Sequence, residues 1–191
     1  MRIIIFFIGI LTSFSFFKGE KSIENKHIYI LPKSELKIKG KSNINKFTCD
    51  FNFLKLENPL VISYQEKENK RYFNSATLPI KNIFFDCGGR QINKDFHKLL
   101  NTKEFPQILI QLKEIEYLQE SIKACVEMEI AGVSKTYTLY VTQTKENTHN
   151  ILGVLELDIS DFNLESPTKL LGIIVVSDII EIDFNLSFKE V

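Results

Sequence analysis

The sequence has no tryptophan, three cysteines and no excess of either charge, with 24 basic and 24 acidic side chains among 191 residues. A chain without a basic surplus carries no electrostatic footprint for nucleic acid. No Cys-x-x-Cys spacing occurs, which argues against a zinc ribbon and a thioredoxin-type redox centre. His-x-x-x-His, Gly-x-Ser-x-Gly and paired carboxylates are missing too, so no catalytic residue is assigned. Internal repeats and low-complexity linkers are absent, and the length suits about one domain.

One tripeptide, Gly40-Lys41-Ser42, matches the end of a phosphate-binding loop. The full motif, Gly-x-x-x-x-Gly-Lys-Ser/Thr, needs two glycines so that backbone N–H groups can wrap the phosphates. Glu35 stands where the first glycine belongs; its carboxylate repels an anion, and the flanking residues alternate like a strand. The stretch therefore reads as strand and turn. Leu36 and Ile38 point inward, Gly40 to Asn45 bend, and Phe47 resumes the apolar face.

What the chain has in quantity is phenylalanine, 16 residues, and short apolar runs. The first run, Ile3 to Phe17 after Arg2, is short for a membrane span and is broken by Gly9, Thr12, Ser13 and Ser15. Residues 1–20 read as a secretory signal peptide without a sharply defined cleavage site, and 21–191 as the mature domain. The expected location is periplasmic or secreted. There a disulfide is reasonable, and an odd cysteine count leaves one thiol over, with three pairings open among Cys49, Cys87 and Cys125.

Beyond the leader, apolar and polar residues alternate with period two, as they do in strands with one wet face. Phe47, Cys49, Phe51 and Phe53 share one side of their segment; Ile122, Ala124, Val126, Met128 and Ile130 share another, with Cys125 on the polar side. Leu155, Leu157 and Ile159, and then Ile180, Ile182, Phe184, Leu186 and Phe188, repeat the pattern. Charged stretches such as Gln65 to Arg71 read as turns. A single stretch, Gly88 to Pro106, has helical spacing instead, with Ile92, Phe96, Leu99 and Leu100 on one face. On its other face Arg90, Lys94 and Lys98 read as solvated, as does His97. His27 falls in a leading strand and His149 in a polar loop, both read as solvated; Asp161 reads as a turn aspartate bonding its own backbone.

Eight or more such strands with one helix make an all-β domain, and the pattern fits a sandwich and a closed barrel equally. The large apolar interior describes either a packed core or a greasy cavity, and on pattern alone the packed core is favoured.

Four segments in order resemble the YceI-like family of exported lipid-binding barrels, also described as polyisoprenoid-binding proteins. They are "LKIKGKSNINKFTCDF", "NKDFHKLLNTKEFPQILIQL", "VEMEIAGVSKTYTLYV" and "LELDISDFNLESPTKLLGIIVVSDIIEIDFNLSF". The resemblance runs from about Asn25 to Phe188 and includes the Phe105-Pro106 pair and the Ala131-Gly132 turn. It implies an eight-stranded antiparallel lipocalin-like barrel with one short α-helix and a long apolar channel, and no catalytic residue. The implied occupant is a long-chain isoprenoid, a quinone or polyprenyl lipid, or a fatty-acid-type amphiphile, with no other cofactor. The role is that of carrier or buffer, compatible with transient membrane contact and a homodimer. An interaction domain with a filled core is the alternative, and an enzyme acting on such lipids a more distant one.

Within that barrel, alternation selects as channel lining Leu36, Ile38, Phe47, Phe51, Ile110, Leu112, Val126, Met128, Leu139, Val141, Leu155, Leu157, Ile182, Phe184 and Leu186. The barrel order also favours a Cys49–Cys87 bridge, since Cys87 precedes the helix and Cys49 lies on a neighbouring hairpin. Alternation puts neither a histidine nor a carboxylate in the channel. Binding then rests on the tail: about ten buried methylenes at ~0.8 kcal/mol each give a gross ~8 kcal/mol, about a micromolar constant before ordering costs.

Overall fold

Residues with one apolar and one polar face can hide the apolar one by closing a sheet on itself, and the chain does so. The computed structural model describes residues 22–145, 148–169 and 174–191. The leader read at 1–20 lies outside them. The strands are β1 (Glu24–Ile30), β2 (Glu35–Lys41), β3 (Lys46–Phe51), β4 (Leu60–Lys67), β5 (Lys70–Ser75), β6 (Thr77–Lys81) and β7 (Phe85–Asp86). After helix α1 (Arg90–Leu99) come β8 (Gln107–Tyr117), β9 (Ile122–Ile130), β10 (Val133–Lys145), β11 (His149–Asp158), β12 (Thr168–Lys169), β13 (Ile174–Val175) and β14 (Ile179–Glu190). Among the described residues no helix is long and apolar enough to cross a membrane.

Eight strands close a ring in the order β1-β4-β5-β8-β9-β10-β11-β14, with β14 returning to β1 and every pairing antiparallel. The barrel with one α-helix implied by the resemblance is the observed fold. Two long strands serve two neighbours on one edge. Strand β14 pairs with β2 through Glu181 to Asn185 and with β1 through Phe188 to Glu190. Strand β8 likewise takes β6 on its first half and β5 on its second. Strands β2, β3, β7 and β6 thus build the wall at one end, and β1, β4 and β5 build it at the other.

Where the chain steps from one tier to the next, side chains take over from ladder bonds, since a buried backbone group left unpaired is costly. Asn58 accepts from the Ile30 N–H at 2.9 Å and donates to its carbonyl at 3.1 Å. The Ser34 hydroxyl donates to the Ser187 carbonyl at 3.1 Å and accepts from the Ser187 N–H at 2.9 Å.

Helix α1 starts without a capping side chain on Gly89; the approach to it is ordered instead by Asp86 and Asn93. The Asp86 Oδ1 accepts from the Gly88 N–H at 3.0 Å and from Asn93 Nδ2 at 3.1 Å, which holds its carboxyl below the ordinary range. Ile92, Phe96 and Leu99 pack on the core, with the Phe96 ring 5.2 Å from that of Phe85. A disulfide joins Cys49 to Cys87 (S–S 1.93 Å) and ties the helix approach to β3. Cys125 carries the free thiol.

Several local readings are corrected. His97 is half-buried, its Nε2 lying 3.2 Å from the Asn82 carbonyl. His149 opens β11 instead of sitting in a loop, and its ring stacks on Phe188 with centroids 5.0 Å apart. The aspartate that bonds its own backbone is Asp158, which accepts from the Ser160 N–H at 2.9 Å; Asp161 accepts from the Tyr137 hydroxyl at 3.2 Å. Gly40 lies within β2 opposite Phe47, and the turn beyond it is closed by the Ser42 hydroxyl, which accepts from the Asn45 N–H at 3.0 Å.

Candidate functional site

Residues opposite one another in an antiparallel ladder share a face, so the registers define the inner wall. Leu36 faces Phe184, and Ile38 faces Ile182, which on its other side faces Leu155. Ile110 faces Met128, Leu112 faces Val126, Leu139 faces Ala124 and Val141 faces Ile122. Phe47 faces Gly40, Leu157 faces Ile180 and Leu186 faces Ile151, while Phe51 faces Phe85. The registers thus put the residues selected by alternation in face-sharing cross-strand pairs. Leu36, Ile38, Phe51, Val126, Met128, Val141, Leu157 and Ile182 are buried; Phe47, Ile110, Leu112, Leu139, Leu155, Phe184 and Leu186 are half-buried. All but Val141 belong to one continuous apolar cluster; Val141 is buried opposite Ile122 outside it.

Two glycines shape this wall. A Cβ on Gly40 would fall 2.3 Å from Phe47 Cζ, and one on Gly153 would fall 2.5 Å from Phe184 Cζ. Both rings lie across a bare backbone on the facing strand, a space that only glycine leaves.

The two ends of the interior differ. At one end Leu100, Phe162 and Ile159 close on the cluster, and Leu157 and Phe162 are 2% and 1% exposed. At the other the inner face becomes polar. Arg71 faces Ile115, which faces Ala124 on the wall, so the guanidinium belongs to the interior side. Its carbon lies 4.8 Å from the Tyr64 ring centre and 5.4 Å from that of Tyr117, both within cation–π range. Its Nε donates to Glu66, the residue opposite it in the β4–β5 hairpin. The Tyr64 hydroxyl donates to Glu24 at 2.9 Å. Burial, with the Glu24 bond assisting, pushes the Tyr64 pKa up to about 12. Burial also raises Tyr117, against the neighbouring Arg71 charge. Across the mouth the His149 Nδ1 lies 3.1 Å from Gln143 Nε2.

This polar end was missed because Gln65 to Arg71 reads as a charged turn. The signal was present: Tyr64 and Glu66 continue in phase with Leu60 and Ile62, and the hairpin folds Arg71 back opposite Glu66. The expectation that no histidine or carboxylate reaches the interior face is corrected accordingly. Among the described residues no three of His, Cys, Asp and Glu converge where a metal ion would sit.

On the outside, Arg90, Lys94, Lys98 and Lys103 border an open groove over α1 and form no ion pair among the described residues. Strand cations such as Lys26, Lys39, Lys81 and Lys113 are paired.

Comparison with known proteins places this geometry. No curated protein is matched in sequence at a significant level. Among solved structures, BcnA of Burkholderia cenocepacia is 21% identical with a TM-score of 0.57, over 81% of this chain and 96% of that one. A polyisoprenoid-binding domain from Saccharophagus degradans, implicated in plant cell wall breakdown, is 14% identical with a TM-score of 0.61, over 90% of this chain and all of that one, 100%. The Campylobacter jejuni YceI protein is 15% identical with a TM-score of 0.50, over 100% of this chain and 91% of that one. The model of the YceI-like domain matches residues 21–188, and the chain belongs to the YceI-like family.

Proposed function

We propose that this is an exported lipid-binding protein that holds a long-chain isoprenoid, a quinone or polyprenyl lipid, or a similar amphiphile inside the barrel, as carrier or buffer. The observation that carries the reading is the continuous apolar inner wall, closed at one end and polar at the other, which matches the shape of an amphiphile. Half-buried Phe184, Leu186 and Leu139 supply the surface a tail would cover. The polyisoprenoid-binding domain among its structural neighbours supports the ligand class. Loading then involves transient contact with a membrane.

The rival reading is an interaction domain with a filled interior, favoured by the tight packing at Cys49, Leu157 and Phe162, at 0%, 2% and 1% exposure. Native mass spectrometry of protein purified from its own host separates the two. The carrier reading expects an added mass of several hundred daltons, released by organic extraction. Bare protein that also ignores added isoprenoid quinone and fatty acid would sink it.

A further inference from the structure

The polar end of the interior has no place in an account based on the tail alone. Arg71 is the residue that stands out there. It sits on the interior face between two aromatic rings, and its side chain keeps 34% of its surface exposed. Among the described residues its acceptor is Glu66, reached through Nε. A guanidinium has five N–H donors, so the terminal nitrogens are left to face a ligand. The rings fix its plane, which lowers the ordering cost of each bond it makes.

The charges around it bear on which head group it accepts. Glu66 already neutralises Arg71, and Glu24 lies one hydrogen bond away through Tyr64. Across the same mouth Lys26 is taken by Glu190 at 3.1 Å. Arg71 and Lys26 thus stand against Glu24, Glu66 and Glu190. A phosphate entering this ring meets carboxylates before it finds a free cation. An uncharged oxygen, such as a hydroxyl or carbonyl, meets unused N–H donors without that repulsion.

Resting on the lipid-binding reading above, we infer that Arg71 is the head-group anchor. It orients the amphiphile with its polar end at the β4–β5 mouth and its tail toward the Cys49–Cys87 end, and it selects an uncharged oxygen head over a phosphate.

Calorimetry with all-trans-geranylgeraniol and its monophosphate, which share one tail, tests the selection. The alcohol is expected to bind at least tenfold more tightly than the phosphate. Arg71→Gln should weaken the alcohol about tenfold, the effect of one hydrogen bond to a charged group. Glu66→Gln should narrow the gap by strengthening the phosphate. Equal or tighter binding of the phosphate by the unaltered protein overturns the inference and leaves lipid binding intact. Binding of neither ligand removes the underlying reading and the inference with it. Orientation is tested on the unaltered protein with a nitroxide on the far end of the tail, which leaves the alcohol free. Broadening of amide signals centred on Cys49 and α1 is expected; broadening centred on Arg71 and Tyr117 overturns it.

Discussion

The Phe184 ring lies across Gly153 on the facing strand, so closely that a Cβ on Gly153 would come within 2.5 Å of Phe184 Cζ and 2.9 Å of Val141 Cγ1. The glycine is what lets a large ring rest against the wall. Replacing Gly153 with valine should therefore drive Phe184 away from the wall, at a cost of about 1–3 kcal/mol for overpacking. Lipid uptake should fall as well. Urea denaturation and a lipid-binding titration check both, and Phe184→Leu added to Gly153→Val should recover most of the lost stability if the pair is coupled.

Removing the Cys49–Cys87 bridge by a double alanine substitution should lower stability by about 2–4 kcal/mol, since the bridge restricts the unfolded chain. Thiol titration of the unfolded, unreduced domain should find Cys125 alone reactive. An unchanged denaturation midpoint in the double variant would contradict the stabilising role.

Tyr64 and Tyr137 both have pKa values pushed up to about 12, burial being the main cause, with Glu24 and Asp161 as the respective acceptors. In the unfolded chain a tyrosine titrates near the ordinary value of 10.0. Below that both states are protonated and stability is unaffected. Between 10 and 12 the unfolded chain loses protons that the native state keeps, so stability falls as pH rises through this window. Tyr64→Phe and Tyr137→Phe should each flatten the decline in urea midpoint measured from pH 9 to pH 12.

Alternation carries much of this fold because closing a sheet needs little more than one apolar face per strand. Leu155 and Ile182 could be placed on a common wall from period two alone, and Ile92, Phe96 and Leu99 from period 3.6. Which strands become neighbours is set by long-range registers that no local pattern contains; the resemblance, not the periodicity, chose barrel over sandwich. Arg71 was lost for a related reason. Its role comes from being folded back over Tyr64 and beside Tyr117, and Tyr117 is far from it along the chain. Gly40 is similar: beside Lys41 and Ser42 it looks like a phosphate motif, and only Phe47 on the next strand shows what the missing side chain is for.

The shared edges of β14 and β8 leave the barrel wall unevenly fastened. The panel formed by β1, β4 and β5 is held to β14 by the pairs from Ile28 to Ile30 and to β8 by those from Lys70 to Tyr72, three register pairs on each side. The joint between β11 and β14 runs from His149 to Asp158. Opening the panel breaks far fewer ladder bonds than parting β11 from β14, so its amides should exchange with solvent first. The panel also carries Arg71. A lightly fastened part of the wall and its polar anchor would then swing as one piece, a hinged door with the latch built into it.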